Sequence, residues 1–249
     1  MIVNFYIDGF NLYYCALKDR FPHCKWLNVN ELCKQYFPLP NYSIGEIKYF
    51  TALVKSRPND MDQPIRQQIY LRALRTIPNL NIIYGQYQES ERVMPVLSKK
   101  SNFYFKNGNK TTTFTKTKFF VSIFKLLHVK LPMRDDQNRT RLQFAPVLRS
   151  EEKGSDVNLA TCLLNDAYNK KMDMAVVISN DSDLIAPIST VDKDLNIPVH
   201  ILNPSKSKFS QLKDAARSTK KMRQSFFESS LFPDQLSDVR GVFNKPPSW

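Results

Sequence analysis

The sequence predicts an α/β fold built around a central, mainly parallel sheet. Short stretches rich in β-branched and aromatic residues alternate along the chain with stretches of helical periodicity, which is the order of a doubly wound sheet. Polar turns that contain aspartates follow several of the apolar stretches, as expected where parallel strands end at a common edge. The chain of 249 residues is long enough for one such domain with an elaboration.

The first half of the chain is predicted to form strands and helices in the order β-α-α-β-α-β. Asn28 is placed to cap the second helix, Pro38 and Pro40 end it, and Asp60 opens the third helix. The predicted strands cover residues 2–7, 46–54 and 80–84, and the predicted helices cover residues 10–18, 29–36 and 61–76.

The third predicted helix is amphipathic. Its arginines, Arg66, Arg72 and Arg75, are left for solvent or for the phosphates of a nucleic acid. The apolar residues spaced for one buried face are Ile65, Ile69, Leu71 and Leu74.

Residues 85–150 interrupt the alternation of strands and helices. From Lys99 to Lys130 there are eight lysines and no Asp or Glu, and aromatic residues lie between them. Asn107-Gly108 is a strong hairpin signal, so the stretch predicts an inserted basic β-hairpin arm. Such an arm can neutralise phosphates and stack bases. Two alternatives stay open, in which the aromatics pack against the body while the lysines are solvated, or the arm is buried against a dimer partner. The residues predicted to bind nucleic acid are Lys99, Lys100, Lys106, Lys110, Lys116, Lys118, Lys153, Arg66 and Arg72.

The alternation resumes after the arm. The helix predicted from Asp156 to Tyr168 has a sheet-facing side that includes Val157, Leu159 and Leu163. Beyond Leu231 the chain has little regular pattern and is predicted to be a tail packed on the domain. Further strands are predicted at 174–179 and 198–202, and further helices at 184–194 and 211–217.

Charge and cysteine usage limit the classes of partner and the cellular compartment. The formal net charge of +13 predicts a surface that attracts polyanions, nucleic acid before an anionic membrane, although a basic surface can also serve solubility alone. The four cysteines and three histidines lack the spacing of a zinc site, so free thiols are expected. No stretch has the length of a transmembrane helix, which predicts a cytoplasmic protein without a membrane partner.

Four aspartates lie at predicted strand ends or helix starts: Asp8, Asp156, Asp181 and Asp183. Carboxylates gathered at one sheet edge repel each other unless a cation neutralises them, and hard oxygen ligands suit Mg²⁺ or Mn²⁺. Such an ion activates water for phosphodiester hydrolysis. The alternative for each aspartate is a helix cap without a catalytic role. Asn11 and Asn158 fit as supporting hydrogen-bond donors, Lys153 fits as a contact to the scissile phosphate, and Glu151 and Glu152 are held in reserve.

The stretches that contain these residues resemble the signatures of the NYN domains, in the LabA-like branch of the PIN-like nucleases. The resemblance implies a PIN-like three-layer α/β/α fold and a Mg²⁺- or Mn²⁺-dependent endoribonuclease site. The four aspartates match the acidic positions of the family and Asn11 matches its asparagine, whereas Asn180 stands where bacterial relatives usually have Gly. The three stretches are Ile7-Asp8-Gly9-Phe10-Asn11, Lys153-Gly154-Ser155-Asp156-Val157 and Ser179-Asn180-Asp181-Ser182-Asp183-Leu184.

These observations predict a catalytic domain over residues 1–87 and 150–220, an arm over 88–149 and a tail over 221–249. The leading hypothesis is an endoribonuclease that uses a metal-activated water, with Asp8, Asp156, Asp181, Asp183 and Asn11 as its catalytic residues. One alternative is a catalytically weak RNA-binding or regulatory module, and another is a DNA or structure-specific nuclease of a mobile element or defence system. The preference for RNA rests on the resemblance alone, and a homodimer stays open.

Overall fold

The computed structural model describes residues 1–56, 60–99, 102–107, 110–114, 142–206 and 212–249. Contacts between residues divide the chain into two compact units. The first contains Met1–Tyr87 and Glu152–Trp249, and the second contains Gln88–Glu151. Within the described ranges, no helix is long and apolar enough to cross a membrane.

The first unit is organised around a six-stranded sheet with the strand order β10-β9-β8-β1-β2-β3, in which every neighbouring pair is parallel. In chain order, the described strands of both units are β1 Ile2–Asp8, β2 Ser43–Thr51, β3 Leu80–Tyr84, β4 Gln86–Lys99, β5 Asn102–Asn107, β6 Lys110–Phe114, β7 Leu142–Lys153, β8 Met174–Ile178, β9 Val199–Asn203, β10 Ser218–Lys221, β11 Gln235–Asp238 and β12 Gly241–Asn244.

Helices cover both faces of this sheet. Short 3₁₀ turns at Pro22–Cys24 and Ser182–Leu184 and π-helical turns at Tyr13–Leu17 and Thr190–Asp194 add to the α-helices. The α-helices are α1 Gly9–Leu12, α2 Val29–Tyr36, α3 Gln63–Leu74, α4 Ser155–Tyr168, α5 Ile185–Ser189 and α6 Gln224–Glu228.

Alternate residues of β1 pack into two separate cores. Phe5 and Ile7 belong to the core under α1, α2, α3 and α6, whereas Tyr6 belongs to the core under α4 and α5. Because successive side chains of a strand point to opposite faces, the sheet has an apolar layer on each side. The chain therefore has the three-layer α/β/α arrangement of a PIN-like fold, which confirms the predicted fold class.

The second unit contains most of a four-stranded sheet with the order β6-β5-β4-β7. Strands β5 and β6 pair antiparallel, with Asn107 opposite Lys110, as the Asn107-Gly108 signal predicted. Lys99 ends β4, and Lys106 and Lys110 lie in β5 and β6. The other arm lysines predicted to bind nucleic acid lie outside the described residues: Lys100, Lys116 and Lys118.

Two predicted helices are interrupted, and two apolar positions predicted to be buried are exposed. The helix predicted at 10–18 is α1 followed by a π-helical turn, and the one at 184–194 combines 3₁₀, α and π segments around Pro187, which has no N–H to donate. Ile65 is 59% exposed because the buried residues of α3 are in its second half. Val157, in the first turn of α4, is 67% exposed.

The C-terminal part of the first unit differs most from the prediction. Residues 212–217 form turns rather than the predicted helix, and the chain then enters the edge strand β10. The tail contains an antiparallel hairpin, β11 and β12, which the sequence prediction missed. Trp26 Nε1 donates to the carbonyl of Pro233 at 2.8 Å, and the rings of Tyr70 and Trp249 lie 5.6 Å apart, so the tail packs on the body.

Candidate active site

The predicted acidic residues lie at the carboxyl edge of the parallel sheet. Asp8 is the last residue of β1, and Asp181 follows the neighbouring strand β8. Asp156 is in the first turn of α4, which packs on the same part of the sheet. Adjacent parallel strands open at their carboxyl ends, so the topology gathers side chains that are distant in sequence.

Asp8 is held in one orientation by two hydrogen bonds. Its Oδ1 accepts from the backbone N–H of Asn11 at 2.9 Å, and its Oδ2 accepts from Ser179 Oγ at 3.0 Å. The residue is only 5% exposed. Burial raises the pKa of Asp8 to about 6, with contributions from the charges of Asp181 and Glu152, while the two hydrogen bonds act in the opposite direction.

The turn after β8 is fixed to the start of α1. Ser179 Oγ accepts a hydrogen bond from the N–H of Asp181 at 3.1 Å while it donates to Asp8. Asn11 Oδ1 accepts from the N–H of Asn180 at 3.1 Å. Asn11 therefore positions the turn that carries Asp181. Ser179 was not among the predicted site residues, since a serine at a strand end gives no distinctive sequence signal.

Capping explains part of the acidic pattern. Asp8 caps α1, and Asp181 Oδ1 accepts from the N–H of Asp183 at 3.0 Å at the start of the 3₁₀ turn. Asp156 has no such role, because the cap of α4 is Gly154, whose φ of +95° favours glycine. Asp183 lies inside its turn and is exposed.

Asp156 carries the clearest electrostatic signature in the group. Burial raises its pKa to about 7, and the charges of Asp8, Asp181, Glu152 and Asp183 raise it further in that order. The four predicted aspartates therefore lie close enough to interact. Glu152, which was not among the predicted site residues, is a fifth member of this acidic group.

Glu152 is locked beside the helix that carries Asp156. Its Oε1 accepts from the N–H of Ser155 at 3.0 Å and from Ser155 Oγ at 2.6 Å. Gly85 lies directly against it, since an added Cβ there would be 2.3 Å from Glu152 Oε1 and 2.8 Å from the carbonyl of Lys153. The chain can approach this closely only because position 85 has no side chain.

The donor set of the acidic group suits a hard divalent ion. Its potential ligands are carboxylate oxygens. Their mutual repulsion contributes to the raised pKa values of Asp8 and Asp156, and a cation relieves that repulsion. Asn180 Oδ1, in the turn before Asp181, is buried and has no hydrogen-bond partner in the described part of the chain. However, no three His, Cys, Asp or Glu residues of that part are arranged to hold one ion.

Lys153, Asn158 and Arg66 were also predicted to take part in the site. Lys153 is exposed, and Asn158 Nδ2 donates to the carbonyl of Tyr84 at 3.3 Å, which ties α4 to the end of β3. Arg66 pairs with Asp60.

Arg72 is used within the fold. Its guanidinium donates to both carboxylate oxygens of Asp238, at 2.8 and 2.6 Å, and to the carbonyl of Gly241 at 2.8 Å. These bonds attach α3 to the hairpin of the tail. Arg72 is therefore held against the tail rather than left free in solvent, and its binding to nucleic acid stays a prediction.

Comparison with known proteins bears on the same part of the chain. A 23% identity over 218 residues relates it to 6-hydroxy-3-succinoylpyridine 3-monooxygenase HspA of Pseudomonas putida (strain DSM 28022 / S16). The alignment covers 80% of this chain and 58% of that protein, so the chain spans less than two thirds of its relative. A crystal structure of VPA0982, a protein of unknown function from Vibrio parahaemolyticus RIMD 2210633, superimposes with a TM-score of 0.47 at 12% identity, covering 90% of this chain and 94% of that one.

The model of one protein family matches part of the chain. Residues 115–222 match the NYN domain, and this range contains Asp156, Asp181 and Asp183, whereas Asp8 and Asn11 precede it. The structure joins the two parts, because Asp8 bonds to Ser179 and Asn11 bonds to Asn180. The assignment to the LabA-like branch stays a prediction. Residues 115–222 are therefore similar to the NYN domain, a domain of the PIN-like nuclease superfamily.

Proposed function

We propose that this protein is a divalent-metal-dependent endoribonuclease. The observation that carries the proposal is the acidic group at the carboxyl edge of the sheet, where the charges of four other carboxylates contribute to the raised pKa of Asp156. Clustered carboxylates within a nuclease-type domain suit metal-assisted phosphodiester hydrolysis. The substrate class follows from the domain, since a nuclease acts on nucleic acid.

The residues proposed to hold Mg²⁺ or Mn²⁺ are Asp8, Asp156 and Asp181. When bound, the ion supplies a water of lowered pKa and a positive charge against the phosphate. Asn11 and Ser179 hold the Asp8 carboxylate in place, so its remaining lone pairs keep a fixed direction. Asp183 is exposed beside this group, where its carboxylate can orient the attacking water. Because three ligands are not yet assembled, the side chains of Asp156 and Asp181 are proposed to rotate towards the ion.

Basic residues on the first unit are proposed to guide the substrate. Arg75 and Arg240 line a groove along α3 that also reaches Tyr84 at the end of β3. Tyr84 lies near the acidic group, because its carbonyl accepts from Asn158 Nδ2. Lys153 is exposed next to Gly154, and we propose that it contacts a phosphate. The arm lysines remain part of the proposal, whereas Arg72 is omitted because it pairs with Asp238.

Cleavage assays test this function directly. The purified protein is incubated with end-labelled single- and double-stranded RNA and DNA in EDTA, Mg²⁺ or Mn²⁺. We expect internal cuts in RNA only with a divalent ion, and at least a hundredfold loss of rate in Asp8→Asn and Asp181→Asn, in line with the usual cost of removing a key catalytic group. Both variants should still bind RNA. Asp214→Asn is the matched control, since Asp214 is exposed and lies outside the acidic group.

The result separates the alternatives. Unchanged cleavage in both aspartate variants would refute the proposed site. RNA binding in EDTA without cleavage after Mn²⁺ is added would favour a binding module, and a preference for DNA would favour the other nuclease class. The monooxygenase activity in the name of the Pseudomonas putida protein is not proposed for this chain, because the two share 23% identity over 58% of that protein.

A further inference from the structure

We propose that an aromatic pocket beside Asp8 binds one unstacked base of the RNA substrate, next to the phosphate that is cleaved. The substrate class rests on the proposed nuclease function, whereas the pocket itself can be tested without cleavage. The residues that define the aromatic pocket are Gly9, Phe10, Tyr13, Tyr49, Tyr70 and Trp249.

The aromatic pocket has the composition of a site for a small planar group. Its enclosed volume is about 60 Å³, within a space of about 630 Å³ that includes open solvent. Small-molecule sites combine mostly apolar walls with a few polar groups. Its walls come from α1, the π-helical turn after it, the end of β2, α3 and the tail, all within the first unit.

The pocket adjoins the proposed active site through consecutive residues. Gly9 lines the pocket and directly follows Asp8. The ring of Tyr49 packs against Gly9, because an added Cβ there would lie 2.7 Å from two of its ring atoms. Because Gly9 directly follows Asp8, a base in the pocket would bring its own backbone phosphate close to Asp8.

The lining groups suit a heteroaromatic ring. Phe10 and Tyr14, which both line the pocket, lie nearly parallel, with ring centroids 6.2 Å apart and an interplanar angle of 18°. Aromatic faces stack on any base and typically contribute a factor of about 10–100 in affinity. Ring nitrogens and exocyclic groups also require hydrogen-bond partners inside the pocket.

The hydroxyl of Tyr49 is one polar group of the lining that can bond to the occupant. Tyr49 lines the pocket and is only 5% exposed. Two other polar side chains of the lining are already used. Gln67 bonds to Val54 N and to the carbonyl of Ala52, and the hydroxyl of Tyr70 donates to the carbonyl of Leu27. A base that bonds to the Tyr49 hydroxyl would gain the modest stabilisation of one hydrogen bond.

Calorimetric titration in EDTA tests the pocket. The ligands are AMP, GMP, CMP and UMP, with ribose 5-phosphate as the probe that lacks a base. We expect at least one nucleotide to bind about tenfold or more tightly than ribose 5-phosphate, because base stacking supplies the difference. Equal binding of all five ligands would overturn the proposal. Binding of a substituted pyridine but of no nucleotide would also overturn it, since the occupant would then be a small metabolite.

Two variants place the binding in the pocket. Val54→Phe fills it while leaving the backbone bond from Val54 N to Gln67, and should weaken nucleotide binding about tenfold. Tyr49→Phe removes only the hydroxyl and should change the ranking of the four nucleotides. The matched controls are Val239→Phe at a fully exposed position and Tyr42→Phe outside the pocket, neither of which should change binding.

The same variants separate failure of the pocket from failure of the nuclease assignment. If Tyr49→Phe and Val54→Phe alter nucleotide binding in EDTA but the protein cleaves no RNA, the pocket stands and the nuclease function fails. If RNA is cleaved with no base preference beside the cut, and both variants bind nucleotides as the wild type does, the pocket is refuted. If Val54→Phe does not fold, nucleotide binding by Tyr49→Phe alone tests the pocket.

Discussion

Replacing the buried carboxylate of Asp8 should stabilise the protein when no metal is present. Asp8 is almost inaccessible to solvent and its pKa is raised to about 6, mainly by burial, so its charge is disfavoured in the folded state. Asp8→Asn removes that charge and keeps an oxygen that can accept from the N–H of Asn11. A variant that abolishes the proposed catalysis is thus expected to melt at a higher temperature than the wild type.

The magnitude follows from the pKa difference. The folded pKa of about 6 lies about two units above the ordinary value of 3.8. At about 1.4 kcal/mol per unit, the ionised carboxylate destabilises the fold by about 3 kcal/mol above pH 6. This shift already includes the opposing hydrogen bonds from Asn11 and Ser179, which lower the pKa. The gain is therefore at most about 3 kcal/mol, which corresponds to a rise in Tm of up to about 12 °C for a chain of this size.

The difference in stability between Asp8→Asn and the wild type should depend on pH. A carboxyl group with a raised folded pKa contributes stability that is fully present below its unfolded pKa and is lost as pH rises through the folded pKa. The advantage of Asp8→Asn should therefore be full at pH 8, shrink through pH 6 and disappear near pH 4. The assay is thermal unfolding in EDTA at these three pH values, with Asp214→Asn as the control. An equal loss of stability at all three would refute the reasoning, because it would show that hydrogen bonding outweighs the charge.

Three further predictions concern the same region and its supports. Mn²⁺ should raise the Tm of the wild type in thermal melts but raise that of Asp8→Asn much less, because ligand binding stabilises only a fold that holds the ion; equal shifts would argue against Asp8 as a ligand. Gly85→Ala should cost about 1–3 kcal/mol in chemical denaturation, since the new methyl group would collide with Glu152, and unchanged stability would contradict that close packing. Arg72→Ala should lower the Tm and speed proteolysis of the tail, because Asp238 loses its partner. The RNA affinity measured by filter binding should not change. A large loss of RNA affinity would show that Arg72 contacts the RNA.

The sheet was the most predictable part of the fold. The central strands β1 and β8 are buried and mainly apolar, and they were predicted to within a residue at each end, as was the edge strand β3. The cap of α2 was also predicted correctly. Asn28 accepts from the N–H groups of Asn30 and Glu31, as a helix-capping asparagine does. In both cases the local sequence and the tertiary environment favour the same structure.

Elements without an apolar run were missed. Strand β10 has the sequence Ser-Thr-Lys-Lys and pairs on one side only, so its backbone bonds define it while its side chains do not. The hairpin of β11 and β12 depends on Arg72, which lies about 166 residues before Asp238 in the chain. Local patterns cannot report a partner at that separation. The same limit explains Glu152, whose place in the acidic group depends on Ser155 and on the close approach of Gly85.

Capping and metal binding, posed as alternatives by the sequence, are compatible at this site. Asp8 receives its hydrogen bonds from Asn11 and Ser179, and Asp181 receives one from the N–H of Asp183. Each carboxylate oxygen has a second lone pair, so these bonds orient the group without exhausting it. The cost of keeping such charges buried and close together is visible in the raised pKa of Asp8. A pure cap needs neither burial nor acidic neighbours, whereas a ligand for a divalent ion benefits from both, which supports the proposal that these residues bind a metal ion.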